Sequence, residues 1–320
     1  MSVFTPLSEE DIRSFLEPFN VGELAHFKGI RGGSENTNYF VDTRGHDGEI
    51  SHFVLTLVER GPVNELPFFI ELLDCLQSAG LPVPFSVADR HGSALHRLKN
   101  RTALLQPRLP GEHPSQPSPL QCAALGELVA RMHQATSQSP LQRDNDRGPR
   151  WVLQQAGKLA VSHWKNETPW LLPALTELQH WYNSAPTLPE TVIHGDLFRD
   201  NAMLIDNQIM GVIDFYNAAT GWMIMDLAIC ANDWCTRALD SGELIFQPLH
   251  VQSMLDAYAR IRPLSSIETR CWPQVLQLAA LRFWVSREQY AHTHPAQSDV
   301  LIKDPGYFRT LFQLHSQHTA

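Results

Sequence analysis

Acidic and amide side chains occur at a spacing suited to catalysis in two neighbouring segments of the chain. The first, His-Gly-Asp-Leu-Phe-Arg-Asp-Asn at 194–201, lies between two apolar runs that have the character of short strands. The second, Ile-Asp-Phe at 213–215, ends a further short apolar run. A loop fixed at both ends by strands holds its side chains in place, and such loops commonly carry function. We therefore expect the polar residues of both segments to form one site.

The chemistry that these residue types suit is phosphoryl transfer from ATP. That reaction needs little covalent chemistry from a protein, but it needs positioning and neutralisation of charge. One carboxylate must orient the acceptor hydroxyl and accept its proton, while a second carboxylate and a neutral oxygen ligand hold Mg²⁺. Asp196, Asn201 and Asp214 supply these groups, with Asp196 as the base and the other two as metal ligands. The alternative is a solvated loop in which Asp196 only caps a turn.

The elements that precede these segments predict a sheet with one main helix. Strand-like segments separated by turn sequences predict an antiparallel meander over 24–30, 37–43 and 52–59. A helical pattern of apolar residues follows over 65–79 and is stopped by Gly80 and Pro82. Two further strands are predicted at 84–88 and 102–106.

A proline-rich segment at 109–119 interrupts regular structure and marks a domain boundary. It divides the chain into an N-terminal part, 1–108, and a C-terminal part, 109–320. Beyond the boundary the apolar spacing is mostly helical, and the predicted helices are 120–135, 151–164, 171–182, 225–239, 251–261, 272–290 and 307–315. Short strands are predicted there only around 191–215. The sequence thus predicts an α+β protein of two parts.

Composition excludes several classes of function. The chain has 25 Lys and Arg against 34 Asp and Glu, a formal net charge of −9, so its charge does not attract nucleic acid. The longest apolar stretch, at 275–285, is shorter than the roughly 18 to 20 residues that span a bilayer. The N-terminal residues lack the basic and apolar regions of an export signal. We therefore expect a cytoplasmic protein that acts on a small molecule, without a nucleic-acid or membrane partner.

The two polar segments also carry a family resemblance. HGDLFRDN and IDF resemble the H-x-D-x-x-x-x-N loop and the metal-binding aspartate of the aminoglycoside phosphotransferase and choline kinase group, relatives of the protein kinases. Within that group the chain is most similar to the bacterial homoserine kinases, and the similar segments are HFKGI, GGSENTNYFV, FVLTLVER, ELPFFIELL, GVIDFYNA, DLAICANDWC, AALRFWVSR and KDPGYF. The resemblance implies a two-lobed protein-kinase-like fold. It also implies ATP and Mg²⁺ as cofactors and L-homoserine as the acceptor, with O-phospho-L-homoserine as a product used in threonine biosynthesis.

The same resemblance implies roles for residues other than Asp196, Asn201 and Asp214. It makes the segment 194–201 the catalytic loop, and it makes His194 and Asp226 supports of that loop. In the N-terminal part it implies that a nucleotide is bound by Gly32, Gly33 and Ser34 over the phosphates and by the chain between Gln106 and Leu109 at the adenine. The glycines allow close approach of the backbone to phosphate, although an ordinary hairpin is the alternative for that turn.

One position departs from the family pattern. Where related kinases have a lysine on the third strand, this chain has Thr56, which supplies no charge. Lys28 and Arg60 are the candidate replacements, because they lie near the glycine-rich turn and the end of the third strand. A nucleotide-binding pseudokinase is the alternative that this departure raises, although Asp196, Asn201 and Asp214 are all retained.

An amino-acid acceptor needs an anion for its ammonium group and a cation for its carboxylate. Asp233 or Asp226 could supply the anion, and Arg282 or Arg287 the cation. The two arginines are five residues apart, about 140° around a helix, so we expect at most one to face the site. Other small hydroxyl compounds remain alternative acceptors: choline, ethanolamine, an aminoglycoside or a thiosugar.

Overall fold

The computed structural model describes residues 4–30, 36–59, 63–239, 243–293 and 304–317. Within these ranges the chain divides into two compact units, one ending at Pro110 and the other beginning at Gly111. The first unit contains α1 (Glu9–Leu16), β1 (Glu23–Gly29), β2 (Thr37–Arg44), β3 (Ile50–Val58), α2 (Leu66–Ser78), β4 (His96–Leu98) and β5 (Arg101–Pro107). Its strands form one antiparallel sheet in the order β1-β2-β3-β5-β4.

Side-chain alternation gives this sheet an apolar face and a more polar face. The apolar face packs with α1 through buried residues of the central strands: Tyr39, Val41, Leu55, Leu57, Ala103 and Leu105. Asn38 and Thr56, which are paired in β2 and β3, lie on the other face. There Thr56 Oγ1 donates to Asn38 Oδ1 over 2.7 Å. Lys28 shares that face, because it pairs with Phe40, two residues along β2 from Asn38.

The predicted strand at 84–88 is wrong. This segment is irregular and makes one sheet-like bond, from the N–H of Val87 to the carbonyl of Leu105 (2.8 Å). The carbonyl of Pro84 accepts from the side-chain Nε2 of Gln106 (2.7 Å) and not from a strand N–H group. The sheet gains β4 instead, a short strand that the apolar pattern did not predict. The meander, the helix after it and the strand at 102–106 are confirmed as β1 to β3, α2 and β5.

The second unit is largely helical. Its helices are α3 (Pro119–Ser137), α4 (Pro149–Ser162), α5 (Thr168–Ser184), α6 (Met223–Trp234), α7 (Pro248–Ile261), α8 (Ser266–Thr293) and α9 (Gly306–Gln317). Its strands are β6 (Glu190–Ile193), β7 (Ala202–Ile205), β8 (Gln208–Val212), β9 (Ala219–Trp222), β10 (Thr236–Ala238) and β11 (Leu244–Phe246). They form three two-stranded antiparallel pairs, β6 with β9, β7 with β8, and β10 with β11. Among the described residues, no helix has the length and apolar character needed to cross a membrane.

The prediction for this unit is confirmed in outline and wrong in detail. The α+β class, with an antiparallel sheet followed by a mostly helical part, is confirmed. The helix predicted at 225–239 ends at Trp234, and the chain continues into β10. The helix predicted at 272–290 extends over 266–293. Strand β9 was not predicted, yet its pairing with β6 holds the chain after Asp214 beside the start of the catalytic loop.

Helices α3 and α7 pack at very close range around a glycine. A Cβ atom on Gly126 of α3 would lie 2.0 Å from the carbonyl oxygen of Met254 in α7. Since backbone cannot yield as a flexible side chain can, any larger residue would force the two helices apart. The neighbouring side chains on α3 are themselves buried, among them Leu125 and Val129.

We expect Gly126→Ala to lower the free energy of unfolding by about 1–3 kcal/mol or more, the usual cost of overpacking. Gly157→Ala is the matched control, because a Cβ on that exposed glycine of α4 would meet nothing within 4 Å. The control should be neutral or stabilising by up to about 1 kcal/mol, the difference in helix propensity. Urea unfolding of both variants makes the comparison. Equal midpoints would contradict the close packing of α3 on α7.

Candidate active site

The catalytic loop begins where β6 ends, and the hairpin β7–β8 returns the chain to it. After Ile193 the chain runs through Asp196 into a single 3₁₀ turn at Arg199–Asn201, which leads directly into β7. The side-chain amide of Asn201 donates from Nδ2 to the backbone carbonyl of Asp196 (2.8 Å). The N–H of Ile213, the residue before Asp214, donates to the backbone carbonyl of Asn201 (3.0 Å). The structure thus brings the three predicted residues of the site together.

Asp196 is half-buried, and its carboxylate is held by a residue that the sequence analysis missed. Asn217 donates from Nδ2 to Asp196 Oδ2 over 3.1 Å. Asn217 ends the 3₁₀ turn that begins directly after Asp214, in the segment GVIDFYNA. Its place three residues after the metal-binding aspartate was the available signal. The hydrogen bond fixes one carboxylate oxygen of Asp196 and so sets the direction of the other.

Two residues of the site, one in the loop and one after β8, adopt left-handed backbone conformations. Gly195 has φ +74°, and a Cβ there would lie 2.9 Å from the carbonyl oxygen of Asn217. Only glycine fits this conformation and this space. Asp214 is left-handed with φ 64° and ψ 61°, a conformation that Asp tolerates better than most residues. Such strain is typical of functional sites whose surroundings fix the backbone.

His194 is buried and links the loop to the end of β8. Its Nε2 donates to the carbonyl of Ile213 (3.1 Å), and its Nδ1 accepts from the N–H of Asp196 (3.2 Å). This pattern needs the neutral ring with the proton on Nε2. Burial lowers the pKa of His194, against the smaller opposing effect of the Asp226 charge. The implied role of His194 as a loop support agrees with these contacts.

Asp226, near the start of α6, is fully buried and binds the backbone of the same loop. Its Oδ2 accepts from the N–H of His194 (2.8 Å), and its Oδ1 accepts from the N–H of Gly195 (2.7 Å). His133 Nε2 lies 3.2 Å from Oδ2. Burial by itself would raise the pKa of Asp226, but the hydrogen bond from His133, with the bonds from the loop, holds it below its usual value. Asp226 is therefore committed to the loop, and its alternative role at an acceptor ammonium would break these bonds.

The remaining predicted acceptor residues have partners of their own. Asp233 accepts from the backbone N–H of Arg199 (2.7 Å) and from its Nε (3.1 Å), so it braces the 3₁₀ turn. Arg287 donates to the carbonyl of Asp304 (2.9 Å) and lies over the ring of Phe308. An ammonium-binding role for Asp233 would have to compete with its ion pair to Arg199.

Arg282 is the predicted arginine that contacts the catalytic loop. Its Nη1 donates to the carbonyl of Gly195 over 2.6 Å, and only 5% of the residue is exposed. Arg287, on the same helix, does not share this contact. The expectation that the helix turns at most one of the two arginines toward the loop agrees with this arrangement.

The predicted nucleotide-binding residues lie in the first unit. Lys28 is exposed in β1, on the same face of the sheet as Thr56. Gln106, in β5, donates from Nε2 to the carbonyl of Pro84 (2.7 Å). Leu109 is half-buried just beyond β5. Gly32, Gly33, Ser34 and Arg60 lie outside the described residues.

The oxygen donors of Asn201 and Asp214 fit a hard divalent cation. The amide nitrogen of Asn201 is used by the carbonyl of Asp196, which leaves the amide oxygen as the coordinating atom. Asp214 is exposed at the end of β8 and brings a carboxylate. Magnesium sites commonly use one or two protein oxygen ligands together with substrate phosphates. The described residues contain no cluster of three or more His, Cys, Asp or Glu side chains suited to a metal. A site with only two protein ligands does not need such a cluster.

Comparisons with known proteins show the family to which the chain belongs. The model of the phosphotransferase enzyme family (APH) matches residues 26–264. A homoserine kinase of Pseudomonas aeruginosa (strain UCBPP-PA14) is 47% identical over 308 residues, which cover 96% of this chain and 94% of that protein.

Two solved structures share the fold at low sequence identity. One is spectinomycin phosphotransferase in complex with ADP and spectinomycin, with a TM-score of 0.69, 11% identity and coverage of 97% of this chain and 98% of that one. The other is an amicoumacin kinase in complex with AMP-PNP and Ca²⁺, with a TM-score of 0.68, 16% identity and coverage of 98% and 94%. The expected protein-kinase-like fold is thereby confirmed.

Because burial keeps His194 neutral in the folded protein, stability should fall as the pH drops below about 6.5, the ordinary pKa of histidine. The unfolded chain then binds a proton at His194 that the folded chain does not bind. The loss in the free energy of unfolding approaches about 1.4 kcal/mol per pH unit for one such group.

His194→Gln should flatten the slope of unfolding free energy against pH between 7 and 5 relative to wild type. His180→Gln, at an exposed position of α5, is the control and should keep the wild-type slope. Equal slopes in all three proteins would contradict the neutral assignment.

Removal of the Asn217 amide should slow turnover without weakening nucleotide binding, because Asn217 contacts the carboxylate of Asp196. A hydrogen bond to a charged group contributes about 1.5–3 kcal/mol, so Asn217→Ala should lower kcat roughly tenfold to a hundredfold. Asn183→Ala, at an exposed position of α5, serves as the control. Steady-state kinetics with varied ATP and acceptor separate kcat from KM. A wild-type kcat in Asn217→Ala would show that Asp196 does not need this bond.

Proposed function

Because the chain belongs to the phosphotransferase enzyme family, we propose that it transfers the γ-phosphoryl group of ATP to the side-chain hydroxyl of L-homoserine. The observation that carries the reaction is the placement of Asp196, whose carboxylate is held by Asn217 and whose loop is held by Asp226. The relative named homoserine kinase, which matches along almost the whole chain, supports the acceptor. The product is O-phospho-L-homoserine, an intermediate for threonine biosynthesis.

In this reaction Asp196 orients the acceptor hydroxyl and takes its proton. As the hydroxyl oxygen forms its bond to the γ-phosphorus, the bond between that phosphorus and the β,γ-bridging oxygen breaks and ADP leaves. The half-buried position of Asp196 limits competing water, and the bond from Asn217 keeps the carboxylate pointing in one direction. Asn201 contributes twice, because its amide nitrogen holds the backbone of Asp196 while its amide oxygen remains for a metal.

We propose Asn201 and Asp214 as the ligands of Mg²⁺. When bound, the ion neutralises charge on the phosphates of ATP. The hydrogen bond between Ile213 and Asn201 keeps the two ligand residues at neighbouring positions. Both ligands come from the two ends of one hairpin, so the pairing of β7 with β8 determines their separation.

We propose that the first unit binds the nucleotide, with the lobe boundary at 108. Lys28 is the described candidate for the cation that Thr56 does not supply, since both lie on one face of the sheet. Arg60 remains a candidate beside it, as do Gly32, Gly33 and Ser34 for the phosphates and Gln106 to Leu109 for the adenine. We place the reaction in the cytoplasm, where ATP is available as phosphoryl donor.

The function is tested by turnover with L-homoserine and by replacement of Asp196. ADP release should be coupled to L-homoserine in preference to choline, ethanolamine and aminoglycosides, and ³¹P NMR should identify the product as a phosphate ester of the side-chain hydroxyl. Asp196→Ala should lower kcat by about 10²–10⁴, the typical value of general-base assistance. Nucleotide binding should be kept.

The matched control is Asp206→Asn, at the exposed turn between β7 and β8, which should behave as wild type. A kcat above about a tenth of wild type in Asp196→Ala would exclude Asp196 as the base. Faster turnover of another acceptor in the panel would exclude L-homoserine as the substrate while leaving the phosphotransferase activity in place.

A further inference from the structure

A cavity of about 340 Å³ lies in the second unit against the root of the catalytic loop. Ile193, the last residue of β6 before the loop, lines it, and so does Arg282, which hydrogen-bonds to the carbonyl of Gly195. The opposite walls come from the loop before α4, from α4, from α5 and from β9. Aromatic and apolar side chains form much of these walls: Trp151, Val152, Tyr182, Trp222 and Met225.

Arg282 lines this cavity with a buried guanidinium that is not fully hydrogen-bonded. Its Nη1 is used by Gly195, but its Nε is buried without a hydrogen-bond partner. Among the described residues, no carboxylate lies within ion-pair distance of its guanidinium, although the charges of Asp196 and Asp226 act on it from farther away. A guanidinium whose donors are not all used suits a carboxylate.

The charged residues that line the cavity give it a net positive charge, because Arg147, Arg150 and Arg282 outnumber the one carboxylate, Glu190. Arg147, exposed in the loop before α4, forms no ion pair among the described residues. Burial lowers the pKa of Arg282, the charge of Asp196 opposes this effect, and the charge of Arg147 lowers the pKa further. A lining with net positive charge favours an anion in the cavity.

We propose that Arg282 and Arg147 bind the carboxylate of an amino-acid acceptor in this cavity, with the acceptor hydroxyl directed to Asp196. Arg282 contacts the residue directly before Asp196, so an anion bound at its Nη2 would lie near the proposed base. In homoserine the carboxylate and the hydroxyl are joined by the short chain Cα–Cβ–Cγ, which suits that closeness. The inference rests on the proposed function and assigns its carboxylate-binding site.

This site would distinguish amino acids from amino alcohols. 3-Aminopropan-1-ol has the hydroxyl and the ammonium group of homoserine and lacks the carboxylate, so it is the probe that does not use the two arginines. The transferring phosphoryl group is the other anion that could approach a guanidinium beside Asp196. If the arginines bound the phosphoryl group, their replacement would change KM for ATP. If they bind the carboxylate, their replacement changes KM for homoserine alone.

The experiment measures kcat and KM for ATP, L-homoserine and 3-aminopropan-1-ol in the full-length chain. The variants are Arg147→Gln, Arg282→Lys and the control Arg260→Gln, an exposed arginine of α7 outside the cavity. Loss of a charge-assisted hydrogen bond corresponds to roughly tenfold to a hundredfold in affinity. Arg147→Gln should therefore raise KM for L-homoserine about tenfold, with kcat, KM for ATP and kcat/KM for 3-aminopropan-1-ol as in wild type. Arg282→Lys should raise the same KM further, and the control should change nothing.

Three results would overturn the inference. They are an unchanged KM for L-homoserine in both variants, a rise in KM for ATP in place of it, or an equal loss of kcat/KM for L-homoserine and 3-aminopropan-1-ol in Arg147→Gln. Arg147 is exposed and makes no described contact to the loop, so its variant keeps the test valid if Arg282→Lys fails to fold. Wild-type turnover of L-homoserine decides the proposed function first. If that turnover is present and the variants are unaffected, only the carboxylate site is wrong.

Discussion

The catalytic loop depends on one buried carboxylate. Asp226 is fully buried, and a carboxylate in that position is tolerated only when its oxygens are fully hydrogen-bonded. Two of its donors are consecutive backbone N–H groups, those of His194 and Gly195, at 2.8 Å and 2.7 Å. The loop therefore supplies what the buried charge needs, and the charge in turn fixes the backbone directly before Asp196. Removal of the carboxylate would leave buried N–H groups without an acceptor, which is costly in itself.

The hydrogen bonds that stabilise the buried charge of Asp226 extend well beyond the loop. His133 Nδ1 lies 2.9 Å from the hydroxyl of Tyr258, and that hydroxyl accepts from Arg262 over 3.1 Å. Because Arg262 can only donate, the Tyr258 hydroxyl donates onward to His133, and His133 donates from Nε2 to Asp226. Arg262 is itself paired with the buried Glu268 over 2.8 Å. A single directed chain of hydrogen bonds thus joins α8, α7, α3 and α6 to the loop, and such chains strengthen one another in a poorly polarisable interior.

Sequence reasoning predicted the candidate reactive groups, and the structure was needed for the groups that hold them. Asp196, Asn201 and Asp214 are close in sequence, and the hairpin between them follows from local turn and strand patterns. Asn217 was missed because its role depends on the left-handed backbone at Asp214, which has no simple sequence signature. Strand β9 was missed for a related reason, since its register is set by pairing with β6 and not by its own composition. The strand predicted at 84–88 does not form because the carbonyl of Pro84 binds the side chain of Gln106, and apolar content alone does not reveal such a contact.

The two arginines of α8 show the same limit of prediction from sequence. Helical geometry allowed the statement that Arg282 and Arg287 point in different directions, but not which of them meets the loop. That depends on how α8 packs against α6, where side chains far apart in sequence decide the rotation of the helix. Arg282 lies in the most buried stretch of α8, among residues such as Leu281 that are fully covered. Arg287 lies closer to the end of the helix and reaches the segment at Asp304.

Gly195 links the proposed acceptor site to Asp196, the proposed base. Its N–H is held by Asp226 and its carbonyl by Arg282, so the residue before Asp196 is fixed through both of its polar backbone groups. Its left-handed φ turns the carbonyl toward α8, and the carbonyl oxygen of Asn217 excludes any side chain at that position. An arginine that used all of its donors for the loop would be a purely structural residue. Arg282 uses Nη1 for the Gly195 carbonyl and also lines the cavity, so one side chain contacts both the backbone before Asp196 and the space in which we propose that the acceptor carboxylate binds.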